Sequence, residues 1–203
     1  MSDRGVLTVI SGFSGAGKGT VVKELVNRYG YVLSISATTR QPRQGEQNGR
    51  EYFFKTKEEF QKMIEEKQLI EYARYVENYY GTPKQYVVEQ LNAGKDVILE
   101  IEMQGALNVR NIMPEANLIF LTPPSVQVLE ERLRGRGTET DEVIAMRMAR
   151  AKEECQYMPQ YDFIVVNDDL EKCVEDMHCL IQSLHWKTVN QEELVVQISQ
   201  EFK

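Results

Sequence analysis

The sequence predicts an α/β fold, a parallel sheet flanked by helices. Three observations carry that expectation: short apolar runs recur along the chain, helical patterns separate them, and the first run opens into a glycine-rich turn ahead of a helix. The runs are nearly continuously apolar instead of alternating, which fits strands buried on both faces. With 203 residues, 42% hydrophobic and 27% charged, the chain is long enough for one core carrying insertions.

Residues 6–10 (VLTVI) are rich in β-branched side chains and form the first strand. Residues 19–29 carry a helical pattern, and 31–35 a short second strand. Residues 36–95 interrupt the alternation. They are polar and turn-rich (QPRQGEQNGREYFF, then NYYGTP) and hold six of the ten tyrosines, so a small inserted subdomain is expected there. The sheet resumes at 96–101 (DVILEI) and 117–121 (NLIFL). Helical patterns follow at 125–134 and 141–156, joined by the arginine- and glycine-rich RLRGRGTET. Residues 126–159 therefore read as a helical lid. A last strand is expected at 163–166 (FIVV) and a helix at 170–184. The tail after Trp186 fits either a helix or a strand. The chain is thus a single domain with its core in residues 1–35, 96–125 and 160–203.

Several classes are disfavoured. A net charge of −7 gives no global attraction to nucleic acid or an anionic membrane. No apolar run approaches the roughly 20 residues that span a bilayer, and the first run is too short for a signal-peptide core. A cytoplasmic protein is expected, without nucleic-acid or membrane partners; the sequence leaves a homo-oligomer open. The three cysteines, Cys155, Cys173 and Cys179, are odd in number and argue against a disulfide framework. Cys173, His178 and Cys179 lie close together but lack paired metal-ligand spacing, so an amphipathic helix is the better reading.

The first strand runs into Gly12-Phe13-Ser14-Gly15-Ala16-Gly17-Lys18-Gly19-Thr20. Glycines let successive backbone N–H groups turn toward phosphate oxygens, and the following helix presents its positive end to the same anion. A lysine at the last Gly-Lys step reaches the outer phosphates as a point charge. The strand–loop–helix context is that of a P-loop, a donor-nucleotide site. The next residue is Gly19 rather than a hydroxyl residue, which comes one later at Thr20.

A second substrate must bind elsewhere. Arg40 and Arg43 lie three apart across Pro42, as either a bidentate phosphate clamp or a solvated basic loop. Glu100 and Glu102 close a strand, where open α/β sheets hold their ligands. Alternation places them on one side, at the mouth of the P-loop. Thr140, followed by Asp141 and Glu142, is a helix N-cap.

Beyond the P-loop, the ordered motifs Ser36 to Glu46, Asn48 to Phe54, Leu69 to Ala73, Asn78 to Thr82, Leu99 to Gly105, Pro123 to Ser125, Arg136 to Thr140 and Val166 to Asp169 resemble those of guanylate kinases, from residue 6 to about 184. The resemblance implies a P-loop nucleoside monophosphate kinase fold, with an inserted GMP-binding subdomain and a helical lid. It implies Mg-dependent transfer of the ATP γ-phosphoryl group to GMP by direct in-line displacement. Phe13 to Thr20, with Asn167 and Asp168, would bind ATP. Ser36, Arg40, Arg43, Tyr52, Glu71, Tyr80, Thr82, Glu100 and Glu102 would bind GMP. Lys18, Arg40, Arg132, Arg136 and Arg147 would stabilise the transition state. Many relatives carry Gly-Lys-Gly-Thr in the P-loop and hold Mg2+ mainly through water and phosphates, with Thr20 and Glu100 nearest. Glu102 departs from the usual Asp by one methylene.

The chemistry is coherent without the name. Guanine offers N1–H and N2–H donors on one edge, which a carboxylate accepts, and O6, which a hydroxyl can bond. Adenine would leave both protein groups unpaired. Spacing alone does not separate Glu71 from Glu65, Glu66 or Glu77; the resemblance does. Arg134 and Arg150 read as a solvated basic face. Two other readings stand beside the kinase: an inactive guanylate-kinase-like interaction module, and a related kinase with another acceptor.

Overall fold

The computed structural model describes residues 4–75, 77–135 and 140–202. In chain order the elements are β1 (Leu7–Gly12), α1 (Lys18–Tyr29), β2 (Val32–Leu33), β3 (Ala37–Thr38), β4 (Phe53–Phe54), α2 (Lys57–Glu65), β5 (Leu69–Tyr75), β6 (Asn78–Pro83) and α3 (Lys84–Asn92). They continue with β7 (Val97–Glu100), α4 (Met103–Ile112), β8 (Asn117–Thr122), α5 (Val126–Arg134), α6 (Asp141–Glu154), β9 (Phe163–Val166), α7 (Leu170–Leu184) and α8 (Glu192–Glu201).

The five expected strands form one parallel sheet in the order β2-β7-β1-β8-β9, with β1 between β7 and β8. Alternate residues of its strands feed two cores. Leu7, Val9, Leu99, Leu118 and Phe120 pack on one face with Met103, Ala106 and Val109 of α4, Leu129 and Leu133 of α5, and Ile144 of α6. Val6, Ile10, Ile98, Ile119 and Leu121 pack on the other with Val21, Val22 and Leu25 of α1 and Val174, Met177 and Ile181 of α7. Burial on both faces is why these strands read as unbroken apolar runs.

Residues 36–95 supply a second sheet, β4-β3-β6-β5, parallel at β3/β4 and antiparallel elsewhere. Its own core is small, with Ala37, Phe60 and Leu69 buried. Ile70 of β5 and Val87 and Leu91 of α3 join the main core instead. The Gly5 N–H also donates to the Leu91 carbonyl at 2.8 Å. The second sheet is thereby tied to the first through β5 and α3.

Helix α2 begins with a reciprocal cap: the Glu59 N–H donates to Thr56 Oγ1 at 3.1 Å, and the Thr56 N–H donates to Glu59 Oε2 at 2.7 Å. Thr56→Ala should cost about 1 kcal/mol of stability, read by denaturant titration, with turnover in the folded protein unaltered.

Three details differ from the sequence expectation. The regular strand β7 ends at Glu100, and Glu102 takes the N-cap position of α4 with φ −68° and ψ 157°. The alternation argument therefore does not reach Glu102. Helix α4 itself was not expected, and the last helical turns after Glu154 tighten into a 3-10 segment, Cys155–Gln160. The cysteines do not form one cluster: Cys173 is buried in the α7 core while Cys179 and Cys155 are exposed. Burial pushes the Cys173 thiol up to about 11. His178 instead stacks on Tyr29, with ring centroids 3.7 Å apart, and pairs its Nδ1 with the Tyr31 hydroxyl at 2.8 Å. The tail after Trp186 ends in α8, whose Leu194, Val195, Val196 and Ile198 are exposed.

Candidate active site

The central strand β1 delivers the glycine-rich loop to the carboxyl edge of the main sheet. Phe13, Ser14, Gly15, Gly17, Lys18, Gly19 and Thr20 of that loop, with Glu100 and Glu102, line a cavity of about 420 Å3. Helix α1 starts at Lys18, with Gly17 as its N-cap at φ +91°, a conformation that side chains rarely adopt. The first N–H groups of a helix have no partner within it, so this end of α1 is suited to an anion. Lys18 Nζ donates to the carbonyls of Gly12 at 2.7 Å and Phe13 at 3.2 Å, which holds the ammonium on the cavity wall. Ala16 is buried beneath the loop rather than in the cavity.

Glu100 and Glu102 share this cavity although only Glu100 belongs to the strand. Enclosure by protein pushes the Glu100 carboxyl up; Lys18 opposes the shift and Glu102 adds to it. A Cβ on Gly19 would lie 3.5 Å from Glu100 Oε1, so the start of α1 passes close to this carboxylate. Among the described residues, no group of three or more His, Cys, Asp or Glu could hold a metal ion.

Helix α6 reaches the loop directly: Arg147 Nη1 donates to Ser14 Oγ at 2.9 Å. Arg132, at the end of α5, donates to the Asp168 carbonyl at 3.4 Å. Arg134 is exposed and pairs with Glu130 and Asp141, the solvated role expected for it. Arg150 is likewise exposed, as expected for it; its Nη2 lies 3.4 Å from Glu102 Oε2, itself exposed, and its Nε 2.9 Å from Glu154 Oε1. Arg136 lies outside the described residues.

Asn167 follows β9 and is buried. Its side chain, expected in the loop near the donor base, donates to the Ala16 carbonyl at 2.8 Å, under the P-loop. Asp168 next to it is exposed.

The second sheet gathers the remaining candidates. On adjacent strands β5 and β6, Thr82 Oγ1 donates to Glu71 Oε1 at 2.7 Å. Thr82 is buried, and burial pushes the Glu71 carboxyl up against the opposing effect of that bond. In α4, a Cβ on Gly105 would lie 3.1 Å from Glu71 Oε2. The missing side chain at Gly105 thus makes room for the carboxylate, a glycine signal inside a helix that sequence reading did not use.

Arg40, Tyr52 and Tyr80 converge. The Arg40 guanidinium carbon lies 5.3 Å from the Tyr52 ring centre, and the rings of Tyr52 and Tyr80 are 6.0 Å apart. Arg40 does not join Arg43 in a ready clamp. Its Nη2 donates to both carboxylate oxygens of Glu46 at 2.9 and 3.0 Å, and only the backbone N–H of Arg43 reaches Glu46, at 2.7 Å. The Arg40 guanidinium holds the Glu46 carboxyl below the usual carboxylate range. Glu46 was missed as a site residue because its contact depends on how the loop closes on itself. Ser36 precedes β3, and its carbonyl accepts from the Phe53 N–H at 2.9 Å.

The family model described as guanylate kinase matches residues 4–184. The chain belongs to the guanylate kinase family. The guanylate kinase of Shouchella clausii (strain KSM-K16) is 52% identical over 186 residues, 91% of each chain. That of Streptococcus agalactiae serotype III (strain NEM316) is 52% identical over 189 residues, 92% of this chain and 90% of the relative. Among solved structures, the guanylate kinase from Anaplasma phagocytophilum superposes with a TM-score of 0.75 at 29% identity, over 98% of this chain and 96% of that one. The guanylate kinase match stops at the end of α7, so α8 lies beyond it.

Proposed function

We propose that the chain transfers the γ-phosphoryl group of ATP to GMP, giving ADP and GDP, with ATP in the P-loop cavity and GMP against the second sheet. One observation carries this reading: the first turn of α4 belongs to both sites. Glu102, its N-cap, lines the P-loop cavity, and Gly105 abuts the Glu71 carboxylate. Three residues of helix rise only about 4.5 Å, so a base at Glu71 lies beside the triphosphate site.

On this reading Glu71 accepts the two N–H donors of guanine and Thr82 and Ser36 meet O6. For Thr82 this means redirecting the proton it donates to Glu71. Arg40, Arg43, Tyr52 and Tyr80 hold the GMP phosphate, with the Glu46 carboxylate standing where that phosphate would pair with Arg40. The division into core (1–35, 96–125, 160–203), GMP-binding insert (36–95) and lid (126–159) assigns each part a substrate or a closing role.

A GMP phosphate oxygen attacks the γ-phosphorus in line, forming the new O–P bond as the bond to the ADP oxygen breaks. No general base is needed, because a phosphate monoester has its second pKa near ~6 and is already largely dianionic at neutral pH. Lys18, Arg132, Arg136 and Arg147 offset the charge on the moving group, and the docked lid excludes water. The carboxylate of Glu100 and the hydroxyl of Thr20 are hard oxygen donors that suit Mg2+, too few to hold it without the phosphates and water. Bound there, Mg2+ would supply further charge neutralisation on the ATP phosphates. A cytoplasmic setting accords with free thiols at Cys155, Cys173 and Cys179.

The test is ADP formation from MgATP with GMP, AMP, CMP or UMP as acceptor. ADP with GMP alone is expected. ADP with a different acceptor would discard the Glu71 site, and none from folded, GMP-binding protein would favour an inactive interaction module.

A further inference from the structure

Asn167 is one of the few polar side chains in the structure that is almost fully buried, at 6% exposure, yet it is anchored at both ends. Its backbone N–H donates to the Thr122 carbonyl at the end of β8, at 2.8 Å. Its side-chain Nδ2 donates to the Ala16 carbonyl, also at 2.8 Å. In a planar trans peptide the C=O and the next N–H point in opposite directions. Fixing the Ala16 oxygen downward onto Asn167 therefore fixes the Gly17 N–H on the opposite side. Gly17 lines the phosphate cavity, while Ala16 is fully buried below it.

We infer that Asn167 is a positioning residue for the phosphate loop: it orients the Ala16–Gly17 peptide so that the Gly17 N–H faces the triphosphate, and it does not read the donor base. The inference rests on the ATP-site reading above. A second observation supports it. A Cβ at position 17 would come within 2.5 Å of Asn167 Nδ2, so the glycine is required both by its φ of +91° and by the close approach of this amide. The loop and the residue after β9 are thus fitted to one another across 150 residues of chain. With its Nδ2 engaged by the loop, the amide donor of Asn167 is not available to a purine.

The experiment compares Asn167→Ala and Asn167→Asp with the wild type. Asn167→Asp keeps the size but turns a carboxylate oxygen toward the Ala16 carbonyl. Binding of ATP, of inorganic tripolyphosphate and of GMP is measured by calorimetry, with KM for each substrate. ATP and tripolyphosphate should weaken by the same factor, roughly tenfold in Asn167→Ala and more in Asn167→Asp, equivalent to ~1.4 kcal/mol or more. GMP affinity should stay constant, which also verifies the fold; Asn167→Ala serves if Asn167→Asp does not fold. Weaker ATP binding with tripolyphosphate unchanged would overturn the inference in favour of a contact to the base. Unchanged binding of both, or an equal loss of GMP binding, would also overturn it. If the wild type binds neither ATP nor tripolyphosphate, the ATP-site reading itself fails.

Discussion

Lys18→Ala is expected to lower turnover by on the order of 10³-fold or more while leaving the fold and GMP binding intact. Phosphoryl transfer leaves little for the protein to do beyond positioning and offsetting charge, so the loss of one fixed cation at the moving group carries a large penalty. The Lys18 ammonium is held at the wall of the phosphate cavity by two loop carbonyls, Gly12 and Phe13, and is already in place before a substrate arrives. Lys18 is half-buried and belongs to neither apolar core, so the fold's dependence on it is small. Single-turnover ADP formation, with circular dichroism and GMP calorimetry on the same preparation, separates the two effects. Near-normal turnover in folded Lys18→Ala protein would sink the proposed mechanism.

The parts legible in the sequence are those written locally. The five main-sheet strands show as apolar runs because both faces are buried, and the phosphate loop shows because its geometry demands glycines within nine consecutive residues. Positions decided by how the chain folds back on itself were not legible. Gly105 weakens the helical pattern of α4, and the Glu71 carboxylate from the second sheet comes close to where its side chain would be. Glu46 pairs with Arg40 only once the loop between β3 and β4 has closed. Arg150 reads as a surface cation and is one, and its contact with the exposed Glu102 depends on where α6 packs. Asn167 matches a motif, but its bond to Ala16 joins residues far apart in the chain and could not be read from it. Choosing Glu71 among its neighbouring carboxylates likewise needed the resemblance; in the structure, burial against Thr82 and Gly105 distinguishes it.

Glu71→Gln should raise KM for GMP by on the order of 10³-fold with kcat far less affected, since it replaces one of the two acceptor oxygens with an NH2 that opposes a guanine N–H and leaves buried groups unpaired. The pH dependence gives an independent sign. Burial holds the Glu71 carboxyl above the ordinary carboxylate range, and only its ionised form accepts both guanine donors. Affinity should therefore fall as pH drops through that raised pKa. Guanosine is the better probe, because GMP adds the titration of its own phosphate. The Gln variant should show no such dependence. Stability runs the other way. A folded pKa raised above the unfolded one stabilises the protein below the unfolded pKa, and that contribution is lost as pH rises through the folded pKa. Ligand-free Glu71→Gln should thus equal or exceed the wild type in stability at neutral pH, with the difference opening as pH rises through the Glu71 pKa. A variant that binds guanosine poorly yet unfolds at higher denaturant would show that the ionised carboxylate is kept for recognition at the expense of the fold. A variant that loses both binding and stability would assign Glu71 to the architecture instead.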